Sequence, residues 1–125
     1  MRLLLDTQIV YWFFYERQRV PKQAWNVMNK AEGVFVSAAS IWEIAIKVRI
    51  GKMNAEPARI VERIEAAGFS DLPVFSKHTV LVADLPLYHG DPFDRLLIAQ
   101  AIEEPMHLLT TDTQLTQYSQ LVIQV

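Results

Sequence analysis

Three short runs of uninterrupted apolar residues, Leu3–Leu5, Val34–Val36 and Leu121–Ile123, alternate with longer stretches whose apolar residues recur at helical spacing. The runs read as buried strands and the longer stretches as helices. MRLLLD is a strand ending at Asp6, and TQIVYWFFYER after it is a helix capped near Asp6 or Thr7. Pro21 starts a second helix reaching about Ala31, which Gly33 ends before the strand VFVS. In SAASIWEIAIKVRIGK, Ile41, Trp42, Ile44, Ala45 and Val48 share a helical face, with Ser40 as the expected cap and Gly51 as the stop. A helix over 56–67 ends at Gly68, FSDLPVF is a short strand or extended piece, and KHTVLVADLP is a helix that stops before Pro86. A helix follows from HGDPFDR to about Glu104, then the strand MHLLTT, a short helix in DTQLTQY and a last strand in LVIQV.

This alternation predicts an α/β fold with three layers: a mostly parallel central sheet of about 4–5 strands, flanked by helices on both faces. A chain of 125 residues is expected to form one domain, over 1–125. In open sheets of this kind a ligand lies beyond the carboxyl ends of the strands. Asp6 closes the first strand and Asp112 follows HLLTT, so both fall in that zone. Glu43 lies early in the helix after VFVS, and Asp91 and Asp94, three residues apart, share a face at the start of theirs.

Converging carboxylates repel one another, and burial worsens the repulsion. Protonation, pairing with Lys or Arg, or a bound cation relieves it. An all-oxygen set suits Mg²⁺ or Mn²⁺, and two such ions about 4 Å apart can activate water and steady a leaving oxygen in phosphodiester cleavage. Each acid also has a plain structural role open to it. Asp6, Asp91 and Asp112 can cap helices, Asp91 ahead of Pro92 at a first helical position; Asp94 can complete a capping box; Glu43 can pair with Lys47 at i+4.

The net charge of −2, from 12 Lys plus Arg and 14 Asp plus Glu, argues against a generally basic nucleic-acid binder, although bound cations would invert the charge of an acidic site. The absence of cysteine excludes disulfides, thiolate metal sites and a Cys nucleophile. No apolar run nears the roughly 20 residues of a membrane span, and no secretion signal opens the chain, which is expected to be cytoplasmic. His78, His89 and His107 have no zinc-type spacing and read as surface or structural residues. Neither an acid pair after the first strand, nor an Asp-x-Asp, nor a Gly-rich loop is present, which argues against receiver, haloacid-dehalogenase and dinucleotide-binding domains.

The ordered set LLLDT, VSAASIWEIAIKVRIGK, HGDPFDRLLIAQA and LLTTD resembles the PIN-domain ribonucleases, in particular the VapC-like toxins of type II toxin–antitoxin systems, over the whole chain. The resemblance implies a PIN-like fold and hydrolysis of RNA. It places Asp6, Glu43, Asp94 and Asp112 on the family's acidic quartet, which binds Mg²⁺ or Mn²⁺. Asp6 and Asp94 would be the main ligands, Glu43 would orient or deprotonate the attacking water, and Asp112 would act from a second metal or the outer shell. Thr7, Ser40, Asp91 and Arg95 would support the site: the hydroxyls by bonding carboxylates, Asp91 by capping its helix, Arg95 by pairing with an acid or reaching a phosphate. Gln8 stands where relatives often have His, and Gly90 where they often have a basic residue, which bears on substrate preference. The implied partners are an RNA substrate, such as tRNA or another structured RNA, a cognate antitoxin entering the acidic cleft, and a second copy of the chain. Arg17, Arg19, Lys22, Lys47, Arg49 and Lys52 are the candidates for RNA contacts, and most of them read individually as ordinary solvated charges. The aromatic run Tyr11–Tyr15 is expected either to leave an exposed interface or to pack under the 21–31 helix. The alternative function is a catalytically inactive PIN-like module that binds RNA or a protein partner.

Overall fold

The computed structural model describes residues 1–125. Five strands, β1 (Arg2–Leu5), β2 (Gly33–Ser37), β3 (Ser70–Leu72), β4 (His107–Thr110) and β5 (Val122–Gln124), form one sheet in the order β3-β2-β1-β4-β5. All four pairings are parallel. Six α-helices flank it: α1 (Thr7–Tyr15), α2 (Lys22–Lys30), α3 (Ala38–Arg49), α4 (Pro57–Ile64), α5 (Ser76–Val82) and α6 (Pro92–Glu103). The predicted three-layer fold is therefore present, with every strand pair parallel.

The period of two in β1 divides the core. Leu3 and Leu5 join Ile9, Val10, Phe13, Ile44 and Ile60 on the face covered by α1–α4. Leu4 points the other way and packs with Leu97, Ile98 and Leu108 on the face covered by α6. All three leucines are fully buried, which is why this strand reads as a continuous apolar run rather than an alternating one.

The sheet grows outward from β1 to β2 and β3, then returns to place β4 and β5 on the opposite side. The connections leaving β1 and β4 thus diverge, and the crevice between them is the switch point at which such folds bind ligands.

Some boundaries differ from expectation. α1 stops at Tyr15, and Arg17–Arg19 forms a 3-10 turn instead of continuing it. The cap of α3 is Ser37, not Ser40: the Ser37 hydroxyl accepts the Ala39 N–H at 3.0 Å. The helix begins directly from the last residue of β2, so no loop remains for a later cap. α4 ends at Ile64, ahead of Gly68 at φ +81°, and Gly51 at φ +78° lies just past α3. The segment after β4 is a 3-10 helix, Thr113–Gln117.

None of the aromatic residues 11–15 is fully exposed. Phe13 packs against Phe14, Trp25 and Phe69 at centroid distances of 5.0, 5.5 and 4.7 Å, so α2 and the segment before β3 cover the run. Exposed large apolar residues lie elsewhere, among them Trp42, Ile50, Val80 and Leu87.

Candidate active site

Asp6 is the residue at which β1 turns into α1. One carboxylate oxygen accepts the Ile9 N–H at 3.0 Å, and the other accepts the Thr110 hydroxyl from the end of β4. The cap and the site role are thus combined in one side chain. Thr110 in turn accepts the Asp112 N–H at 3.0 Å, which ties the strand ends on both sides of the crevice together. Burial pushes the Asp6 carboxyl up to about 6; the Thr110 and Ile9 hydrogen bonds oppose the rise, and the charges of Glu43 and Asp112 add to it.

Glu43 enters from α3. Its Oε2 pairs with Lys47 Nζ at 2.9 Å, the i+4 pairing open to it from sequence. Its Oε1 is buried without a partner, on a side chain only 8% exposed. An orphaned carboxylate oxygen in such a position is costly unless a ligand answers it.

Asp91 caps α6, accepting the N–H groups of Phe93 and Asp94 at 2.8 and 2.9 Å, with Pro92 at the first helical position. Asp94 lies one turn further in, and burial pushes its carboxyl up to about 7. The negative charges of Asp91, Asp6 and Glu43 raise it further, while His89 lowers it. Asp112 caps the 3-10 helix through the Gln114 N–H at 2.9 Å. Together Asp6, Glu43, Asp91, Asp94 and Asp112 line a cleft of about 250 Å³ with Thr7, Gln8, Lys47 and Thr111, and no apolar side chain contributes to its wall.

Three supporting residues, Thr7, Ser40 and Arg95, sit differently from expectation. The Thr7 hydroxyl donates to Ser40, which is buried behind the wall, at 3.0 Å, and neither hydroxyl bonds a carboxylate. Arg95 neither pairs with an acid nor faces the cleft. It is buried and donates to the carbonyls of Pro86, Val82 and Leu85 at 2.7, 3.1 and 3.3 Å and to the Tyr118 hydroxyl at 3.2 Å. On α6 the residue after Asp94 points roughly 100° around the helix, away from the acids.

His89 was missed as a site residue. It is half-buried at the cleft, with Nε2 3.1 Å from Asp112 Oδ2 and 3.6 Å from Asp94 Oδ2. Its position two residues before Asp91 was the only sequence signal. His78 is structural, fully buried against Glu104.

Fold and site together define an α/β protein with an acid-lined cleft at the switch point of a parallel sheet. The chain belongs to the PIN domain family, whose model matches residues 3–121. It is 30% identical over 122 residues to Ribonuclease VapC22 of Mycobacterium tuberculosis, covering 93% of this chain and 91% of that protein. Among solved structures it resembles VapBC2 from Rickettsia felis bound to a promoter DNA fragment, with a TM-score of 0.71 at 15% identity over 100% of this chain and 98% of the other. FitAcB from Neisseria gonorrhoeae is similar at a TM-score of 0.60 and 18% identity, covering 90% and 89% of the two chains. The VapC-like resemblance read from the motifs therefore holds.

Proposed function

We propose that this protein is a Mg²⁺- or Mn²⁺-dependent endoribonuclease, a VapC-type toxin that hydrolyses RNA phosphodiester bonds in the cytoplasm and is neutralised by a cognate antitoxin. The similarity to a ribonuclease supports the reaction class. The observation that carries it is the convergence of Asp6, Glu43, Asp94 and Asp112 on one cleft, with a buried Glu43 oxygen that has no partner.

The donor set fits a hard divalent cation. All the acids offer oxygen, and the raised Asp6 and Asp94 carboxyls mark a site whose negative charge the protein alone leaves uncompensated. Asp6 and Asp94 would hold the ion, with Asp112 at the outer edge. When bound, the ion would supply charge neutralisation at the phosphate and a more acidic water. Glu43, with Oε2 paired to Lys47 and Oε1 without a partner, would orient or deprotonate the attacking water. Thr110 holds the Asp6 carboxylate in orientation, and Asp91 fixes the start of the helix that presents Asp94. Lys47 is the one Lys or Arg that lines the cleft and would be available to an incoming phosphate. The exposed Lys22, Arg49 and Lys52 offer further contacts to structured RNA such as tRNA.

The chain shares its fold with the VapBC2 and FitAcB structures and 30% of its sequence with a VapC ribonuclease, which supports an antitoxin partner for it. The acidic cleft suits a basic side chain from such a partner. A homodimer is supported by the apolar face of Trp42 and Ile46 on α3 and Pro92, Phe93 and Leu96 on α6, on which Trp42 is 60% exposed. No helix is long and apolar enough to cross a membrane.

The test pairs thermal unfolding, with and without Mn²⁺, with RNA cleavage, for the native chain and Asp94→Asn. A ligand that binds only the folded state raises the midpoint. The rise, the cleavage and toxicity in a host are expected in the native protein and lost together in the variant. Cleavage that survives Asp94→Asn would refute the reading. RNA or protein binding without turnover in the native chain would establish the inactive binding module instead.

A further inference from the structure

The loop before α6 places a histidine against two of the acids, and its hydrogen bonds determine what that ring can do. In a capping box, the residue at the third helical position accepts the N–H of the cap residue. Asp94 occupies that position, but the Asp91 N–H is taken by His89 Nδ1 at 3.0 Å. Asp94 is thereby released from capping, and its carboxylate is free to face the cleft.

A backbone N–H can only donate, so Nδ1 is the unprotonated nitrogen of the ring. In the neutral imidazole Nε2 then bears the hydrogen. That N–H points between Asp112 Oδ2, at 3.1 Å, and Asp94 Oδ2, at 3.6 Å. The ring therefore presents a donor to the acids, not the lone pair a metal requires, although His89, Asp94 and Asp112 are close enough together to resemble a ligand triad.

The ring's backbone is held in turn. Tyr118 Oη accepts the His89 N–H at 2.8 Å and lies 3.3 Å from the His89 carbonyl. Arg95 donates to the same Tyr118 hydroxyl and to three carbonyls of the segment 82–86 that leads into this loop. The arginine of the DPFDR motif thus acts on the site at a distance, by fixing the loop that carries His89.

We infer that His89 is a positioning residue of the acidic site: it takes over the α6 cap hydrogen bond from Asp94 and, through Nε2–H, fixes the Asp112 carboxylate beside it, without itself coordinating metal. The inference deepens the metal-dependent reading and rests on it. With Gln114 on Oδ1 and His89 on Oδ2, the orientation of the Asp112 carboxylate is fixed at both oxygens.

The test is a calorimetric Mn²⁺ titration of the native chain, His89→Ala and His89→Gln, with pulsed electron paramagnetic resonance of the bound Mn²⁺ and the metal-free unfolding midpoint as a check on folding. Glutamine can donate an N–H from its amide and accept the Asp91 N–H with its carbonyl. Loss of an outer-shell partner of metal ligands typically weakens affinity 10–100-fold. His89→Ala is expected to lose about tenfold or more in Mn²⁺ affinity, His89→Gln to stay closer to the native protein than to His89→Ala, and native Mn²⁺ to show no directly bound nitrogen. Nitrogen coordination that vanishes in both variants would make His89 a ligand and overturn the inference, as would native affinity in His89→Ala or equal loss in both variants. Each of these leaves the metal-dependent reading standing. A native protein that binds no Mn²⁺ would overturn both.

Discussion

Asp94→Asn should stabilise the metal-free protein above pH 7, although it removes a central acid of the site. The folded chain holds the Asp94 carboxyl at about 7 against an ordinary value of 3.8, mainly through burial and then through the charges of Asp91, Asp6 and Glu43. A carboxyl raised in the folded state binds its proton more tightly there than in the unfolded chain. Folding is therefore unpenalised below pH 3.8 and loses stability as pH rises from 3.8 to about 7. At about 1.36 kcal/mol per pH unit the full interval corresponds to roughly 4 kcal/mol. The side chain is 23% exposed, and solvent screening reduces the figure to about 2 kcal/mol. Asparagine keeps the shape and carries no charge, so the variant should escape this penalty. For a chain of this size about 2 kcal/mol is worth roughly 6–12 °C in midpoint. The assay is thermal unfolding in chelator, across pH 3.5 to 8, for both proteins. The two curves should meet at the acid end and separate as pH rises, with the variant above. Saturating Mn²⁺ should then reverse the order at neutral pH, because only the native site gains a ligand. A variant less stable than the native chain in chelator at pH 8, or a gap independent of pH, would refute the reasoning.

Arg95→Met should destabilise the fold by about 2–4 kcal/mol, since it strips four hydrogen bonds from buried or partly buried acceptors; urea unfolding measures this, and a loss under 1 kcal/mol would count against the loop-fixing role. Trp42→Glu should convert a dimer into a monomer in sedimentation without lowering the unfolding midpoint of the isolated chain, because the ring is largely exposed; a native protein already monomeric at working concentration would remove the basis for a homodimer.

The sequence determined the order and type of the elements, because each strand buried on both faces must be apolar throughout and each amphipathic helix must repeat its apolar face. Leu3–Leu5, Val34–Val36 and the spacing of Ile41, Trp42, Ile44 and Val48 obey those rules locally, with no knowledge of neighbours. The acids at strand ends were legible for the same reason: a parallel sheet makes its carboxyl edge a site, and Asp6 and Asp112 follow strands. What the chain order left open was which side chains meet. Asp6 is a cap and a site residue at once, because its two oxygens serve different partners. Glu43 pairs with Lys47 and still leaves one buried oxygen without a partner. Arg95 follows Asp94 directly, yet the turn of α6 sends it to the other side and into a loop brought close only by folding. His89 had no metal-type spacing to reveal it, since its importance comes from an N–H two residues on and a carboxylate 23 residues on, both bonded to its ring. Periodicity records what each residue must do for its own element. Hydrogen bonds between elements depend on the distances and directions that packing sets, and only the tertiary structure decides those.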